Sequence, residues 1–117
     1  MTTIKRSCKF VIYTNMYGIR SKYFIFNGKK EGECKSYDES GQLWDTSNYK
    51  NGKNEGEYKK YYYSGQLEIQ CNYKNNKLEG EFKEYYTNGR LMNIYNYENG
   101  QLLERELDIK NMMEVVN

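Results

Sequence analysis

The sequence repeats itself. A block of 24 residues beginning at Gly32, GECKSYDESGQLWDTSNYKNGKNE, is followed without a gap by GEYKKYYYSGQLEIQCNYKNNKLE from Gly56 and by GEFKEYYTNGRLMNIYNYENGQLL from Gly80. A fixed period of this length marks a repeat architecture, in which one supersecondary unit is copied and stacked on its neighbours. Glycine returns at Gly32, Gly56 and Gly80 and again at Gly41, Gly65 and Gly89. Glutamate follows the first glycine (Glu33, Glu57, Glu81), and lysine stands two places further on (Lys35, Lys59, Lys83). Tyr37, Tyr61 and Tyr85 form one tyrosine row, Tyr49, Tyr73 and Tyr97 another, and Leu43, Leu67 and Leu91 a leucine row.

Each unit holds two turn signals. One is the glycine of Ser64-Gly65 and its counterparts; the other is Asn51-Gly52, Asn75-Asn76 or Asn99-Gly100. Both kinds tolerate positive φ and suit tight hairpin turns. Between them lie runs rich in Tyr, Phe and Ile, which favour strands. The unit therefore reads as one β-hairpin. The links are too short for parallel crossovers. The expected fold is all-β: an elongated antiparallel meander of stacked hairpins, with turns near 27–28, 40–41, 51–52, 64–65, 75–76, 88–89 and 99–100.

Residues 1–31 read as a degenerate capping repeat, because Asn27-Gly28 falls one period before Asn51-Gly52 and Ile19 one period before Leu43. Gly18 comes one place late, so its turn is expected to differ from the others. Three full repeats follow at 32–55, 56–79 and 80–103. The stretch 104–117 breaks the pattern as a C-terminal cap or tail. Leu103, Leu107, Met113 and Val116 have roughly helical spacing and suggest a short helix, with a final strand as the rival.

In the second repeat, strands are expected at 57–63 and 66–74. A two-residue loop at Ser64-Gly65 sets Tyr62 opposite Leu67. Alternation then places Tyr58, Lys60, Tyr62, Leu67, Ile69, Cys71 and Tyr73 on one side, and Glu57, Lys59, Tyr61, Glu68, Gln70 and Asn72 on the other. A three-residue loop with a glycine bulge would flip one strand. The two-residue loop segregates apolar from polar better. Leu67, Ile69, Tyr73, Phe82 and Leu91 should then be more buried than Glu57, Lys59, Glu81 and Lys83. A sheet covered on one face only by a short tail leaves apolar area open, which points to self-association or a partner.

Among the 117 residues, 38% are hydrophobic and 16% aromatic, with 14 tyrosines and no proline. Disordered chains are poor in aromatics, so the chain folds, but around no thick aliphatic core. The net charge of +2 does not by itself imply nucleic acid. Basic and aromatic residues interleave in 57–63, as in single-strand binders. The alternating glutamates cancel that field. Lys5, Arg6, Lys9, Arg20, Lys22, Lys29 and Lys30 concentrate positive charge at the N-terminal end. That end could meet an anionic surface, with Lys22, Lys29 and Lys30 as the contact residues, or be ordinary solvated surface. Alternation should scatter these lysines over both faces.

Cys8, Cys34 and Cys71 make neither a disulfide framework nor a zinc pattern. They read as reduced thiols of an intracellular, cytoplasmic protein. The start lacks the apolar run of a signal peptide.

The unit G-E-aromatic-K-x-Y-Y-x-S/N-G-Q/R-L, closing on N-Y-x-N-G-K-L, resembles the MORN repeat variant family. Gly56, Tyr58, Tyr61, Tyr62, Gly65, Leu67, Tyr73 and their period mates carry the likeness, from Gly32 to about Leu103. The resemblance implies an elongated sheet of stacked hairpins and a role in protein interaction or scaffolding. Some bacterial members are antitoxins, and such repeats occur in large DNA viruses, which would place a viral member in the host cytoplasm. Standard MORN repeats, with a different glycine spacing, have been linked to phosphoinositide membranes. Cys34 and Asp38 depart from the pattern, where the other repeats have aromatics.

No motif marks chemistry. With no histidine, Ser-His-Asp and Cys-His catalysis are excluded. The row Glu33, Glu57 and Glu81 reads as a solvated ladder paired with the lysine row rather than as acid–base carboxylates. The glycines open no helix, so no phosphate-cradling loop is indicated. Neither a cofactor nor a metal is expected. The candidate partner-binding residues are Trp44, Tyr37, Tyr61 and Tyr85. Stacked tyrosines also stabilise a sheet lacking a second layer. Trp44, with Glu68 and Met92 as its period mates, falls on the polar side, so it is either covered by a neighbouring element or a hot spot. The leading reading is a non-enzymatic module that binds another protein or itself. A peripheral membrane-binding module is the alternative, and nucleic acid is disfavoured.

Overall fold

A computed structural model describes residues 8–105. Eleven strands run in chain order: β1 Cys8–Thr14, β2 Arg20–Phe26, β3 Lys29–Tyr37, β4 Leu43–Lys50, β5 Lys53–Asn54, β6 Gly56–Tyr61, β7 Leu67–Lys74, β8 Lys77–Leu78, β9 Gly80–Tyr85, β10 Leu91–Glu98 and β11 Gln101–Arg105. They form one antiparallel sheet with sequential neighbours; the two-residue strands β5 and β8 pair β4 and β7. The described residues contain no helix. Residues 101–105 form the last strand, which takes in Leu103 and the first two residues of the 104–117 tail, so the rival strand stands there in place of the expected helix; the helix's other positions lie outside the described residues.

The two turn signals occupy opposite long sides of the sheet. On one side, Asn27, Asn51, Asn75 and Asn99 each adopt φ of 50–54°, followed by Gly28, Gly52, Asn76 or Gly100, also at positive φ. These are two-residue turns, as expected. The opposite side corrects the sequence reading. Tyr62 N–H donates to the Gln66 carbonyl (2.8 Å) and Gly65 N–H to the Tyr62 carbonyl (2.9 Å), closing a loop of three residues. Tyr61 then faces Leu67, but Lys60 faces Ile69, so Glu68 is an extra residue. This bulge cancels the slip of the longer loop. From Lys60 onward the register is the one a two-residue loop would give, with Tyr58 opposite Cys71. Trp44 and Met92 are the extra residues of the neighbouring hairpins.

The first hairpin explains its late glycine. Asn15 N–H donates to the Ile19 carbonyl (2.9 Å) and Gly18 N–H to the Asn15 carbonyl (3.1 Å), so its loop has three residues too. The turn does not differ as expected. What is missing is the bulge: β1 and β2 pair without a break from Thr14–Arg20 to Cys8–Phe26. One residue fewer in β2 puts Gly18 one place closer to the next repeat.

The bulges also redistribute side chains. Lys60 lies on the side of Tyr58, whose hydroxyl donates to Asp45 (3.0 Å). Its ammonium meets Glu68 (2.7 Å) and sits over the Trp44 ring, 4.6 Å from the centroid. Glu68 and Trp44 therefore share the aromatic face with Lys60, not the charged face where strict alternation put them. Conversely Leu67, as the partner of Tyr61, belongs to the charged face. Edge-on ring packing holds the aromatic face, with Tyr58 against Tyr73 (6.2 Å) and Phe82 against Tyr95 (6.0 Å). Ile69, Tyr73 and Phe82 are half-buried and Glu57 and Glu81 exposed, as expected. Leu91 is not: opposite Tyr85 on the charged face it is 39% exposed, while Leu67 in the equivalent place opposite Tyr61 is half-buried. Lys59 and Lys83 are half-buried, and Ile94, opposite Lys83, is buried. Cys34, Cys71 and Ile94 are the buried hydrophobic residues among those described, as befits a single-layer sheet.

Repeats are tied together along the asparagine-turn side. The Asn51, Asn75 and Asn99 N–H groups donate to the carboxylates of Glu31, Glu55 and Glu79, 20 residues earlier, at 2.7, 2.7 and 2.8 Å. Beside them, Gly52, Asn76 and Gly100 N–H donate to the carbonyls of Lys30, Asn54 and Leu78. Each turn is thus docked on the preceding repeat by one charged and one backbone hydrogen bond. The glutamate row stands one place before the repeat glycine and was visible in the period, but the sequence reading gave it no role.

Candidate binding surfaces

Trp44 is placed by its bulge at the glycine-turn side of the sheet. There it lines a groove of about 580 Å³ with Tyr17, Ile19, Asp38, Glu39 and Tyr63. Tyr17 and Tyr63 are 74% and 73% exposed. Lys60 caps the Trp44 ring from the next repeat, so the indole is half-buried rather than free. Two of the lining residues, Asp38 and Glu39, are acidic. Asp38 accepts from the backbone N–H of Ser40 (2.9 Å) and Gln42 (3.0 Å) and from the Ser40 hydroxyl. The hydroxyl bond leads in holding its carboxyl below the usual range. The groove is therefore lined by aromatic rings and by a carboxylate held in place by its own turn. Such a site suits a basic side chain carried on an apolar stem.

The other three candidates are elsewhere. Tyr37, Tyr61 and Tyr85 stand on the charged face, opposite Leu43, Leu67 and Leu91, and all three are half-buried. Across each hairpin they make a tyrosine–leucine pair of the kind that stabilises a sheet. Trp44 does not join them. Tyr17 and Tyr63, which do flank it, sit in turns: Tyr63, expected as the last residue of a strand at 57–63, belongs to the three-residue loop, and turn residues obey no strand alternation.

The lysines divide. Lys22 lies opposite Lys35 on the charged face, its ammonium 5.2 Å from the Tyr37 ring centroid. Lys29 pairs with Phe26 on that face, while Lys30, opposite Ile25, turns to the aromatic face. There its ammonium lies over Tyr23 (4.5 Å) and Tyr49 (4.9 Å). Lys5 and Arg6 fall outside the described residues.

The charged face carries the paired ladder: Lys35–Glu33 (3.6 Å), Lys59–Glu57 (3.4 Å) and Lys83–Glu81 (3.9 Å). The Gln70 amide donates to Glu57 (2.8 Å), which holds that carboxyl low. All three cysteines are free. Burial pushes the Cys71 thiol up to about 11 and raises Cys34, so both are protonated at neutral pH and poor nucleophiles. Burial, with Asp45 beside it, also raises Tyr58. Among the described residues no acidic or thiol cluster could hold a metal ion. No helix among them is long and apolar enough to cross a membrane.

Copied hairpins, docked turn on strand in one sheet, define a β-repeat module. The family model of the MORN repeat variant matches residues 30–51, 54–75 and 78–99, more than half of the chain, and the chain belongs to that family. Comparison with curated proteins finds no match.

Proposed function

We propose that this repeat module is non-enzymatic and binds another protein through the glycine-turn side of the sheet. The observation that carries this reading is the Trp44 groove, which ionised Asp38 and exposed Tyr17 and Tyr63 also line. Tyrosine and tryptophan are among the side chains that most often anchor binding energy. The complementary partner presents an arginine or lysine flanked by apolar residues.

The membrane alternative draws no support from Lys22, Lys29 and Lys30, since they point to both faces and two of them lie over tyrosine rings. The test pairs two measurements. Proteins retained by the parent chain from its native cell extract should be lost with Trp44→Ala or Asp38→Asn and kept when Lys22, Lys29 and Lys30 are reversed to Glu. Co-sedimentation with anionic liposomes should be weak for all of them. Strong liposome binding abolished by the lysine reversal would overturn the proposal.

A further inference from the structure

Among the described residues, the edge strand β1 differs from the other strands in how little of its own sequence defends it. Its sequence, Cys-Lys-Phe-Val-Ile-Tyr-Thr, has one charge, no proline and no bulge. Open sheet edges are normally blunted by such devices, because their unpaired backbone groups invite another strand. Phe10, Ile12 and Tyr13 are 55%, 57% and 58% exposed, and the Phe10 ring packs at a tilt against exposed Phe24, 5.1 Å between centroids.

The ladder fixes which backbone groups face outward. Antiparallel pairs alternate between hydrogen-bonded and non-hydrogen-bonded. Asn15 bonds to Ile19 across the turn, so Tyr13, Val11 and Lys9 turn their N–H and C=O to β2. Thr14, Ile12, Phe10 and Cys8 turn theirs away from it. The close Phe10–Phe24 approach agrees, since side chains lie nearest in non-hydrogen-bonded pairs.

We infer that β1 pairs with β1 of a second copy, antiparallel about a two-fold axis through Val11. The strand is self-complementary in this register. Phe10 meets Ile12 of the other copy, Cys8 meets Thr14, and Lys9 meets Tyr13, so its only charge faces an aromatic ring instead of its own image. All four outward residues of each strand are used, giving about eight backbone hydrogen bonds. The paired positions have equal parity, so the apolar patch of Phe10, Ile12 and Phe24 continues across the axis. Shifting the register by two residues leaves outward groups unpaired at both ends. This inference does not depend on the Trp44 groove, which lies on another side of the sheet.

The variant that isolates the edge is Ile12→Pro. It removes a donor aimed at the second copy and none aimed at β2, as proline on an outward edge position allows. Sedimentation of the full chain should show a dimer dissociating between about 1 µM and about 1 mM. Ile12→Pro should weaken it at least about tenfold with an unchanged circular dichroism spectrum. Should the proline disturb the hairpin, a second measurement decides. In a Cys8→Ser background, Val11→Cys should cross-link into a disulfide dimer under mild oxidation, because Val11 meets itself in a non-hydrogen-bonded pair. Phe10→Cys and Ile12→Cys in the same background should cross-link poorly. A parent chain monomeric throughout that range, a dimer that survives Ile12→Pro in a folded chain, or a dimer that Val11→Cys fails to link would each overturn the inference.

Discussion

At the scale of single residues, the informative groups are those whose environment departs from their exposure pattern. Cys71 is 1% exposed in the middle of the aromatic face. Its thiol titrates near 11 instead of the ordinary 9.0, because burial penalises the thiolate. The raised value means that folding favours the protonated form. The associated stability is complete below pH 9, where both states hold the proton, and is lost as pH rises toward 11. Tyr58 and Tyr73 shift in the same direction through burial. Unfolding free energy should therefore fall across this window, with Cys71 contributing on the order of 2 kcal/mol. Urea titrations at stepped pH check this, and Cys71→Ala should flatten part of the slope. A thiol reagent at neutral pH should modify exposed Cys8 at once and Cys34 and Cys71 only on unfolding. On the asparagine-turn side, Glu55→Ala leaves the Asn75 N–H without its charged acceptor. A loss of about 1–2 kcal/mol in a urea melt is expected, with Glu79→Ala similar through Asn99.

At the scale of the hairpin, the bulge is the feature to test. Deleting Glu68 restores the uninterrupted pairing that the first hairpin shows is compatible with a three-residue loop. The Lys60–Glu68 ion pair goes, and the chain should still fold, about 1 kcal/mol less stable. Deleting Gln70 instead removes a paired residue, reverses the faces of one strand segment and should abolish the cooperative melt. The same feature shows where the sequence stops being readable. Asparagine turns, strand order and the Tyr58–Cys71 register were legible, because period and alternation specify them. The three-residue loop was not, because a loop of three plus a bulge leaves the same net register as a loop of two. Hydrophobic alternation records only that net result. Trp44 was assigned to the wrong side for this reason: a bulge lets consecutive side chains share a face. The groove it lines was beyond reach, since Tyr17 and Tyr63 come to it from turns of other hairpins.

At the scale of the molecule, nine strands follow one another at about 4.8 Å spacing, a sheet roughly 40 Å across with no second layer among the described residues. Stability in such an array is a sum over neighbours, so the ends are the weakest part. Amide exchange should be slowest in β4, β6 and β7 and fastest in β1 and β11. Dilution below the dimer's dissociation range should speed exchange further in β1 at Phe10 and Ile12.

The glutamates that hold each following turn give the array a direction. Each of the three joints sets a carboxylate of one unit, Glu31, Glu55 or Glu79, against the asparagine turn of the next, so the joint is the same wherever it is made. A gene that duplicated the 24 codons for 56–79 in frame would add a hairpin whose two joints already fit. The length of such a protein is thus open to change by recombination alone, with no new contact to be selected. The sheet can be lengthened to match a longer partner before any surface residue has mutated.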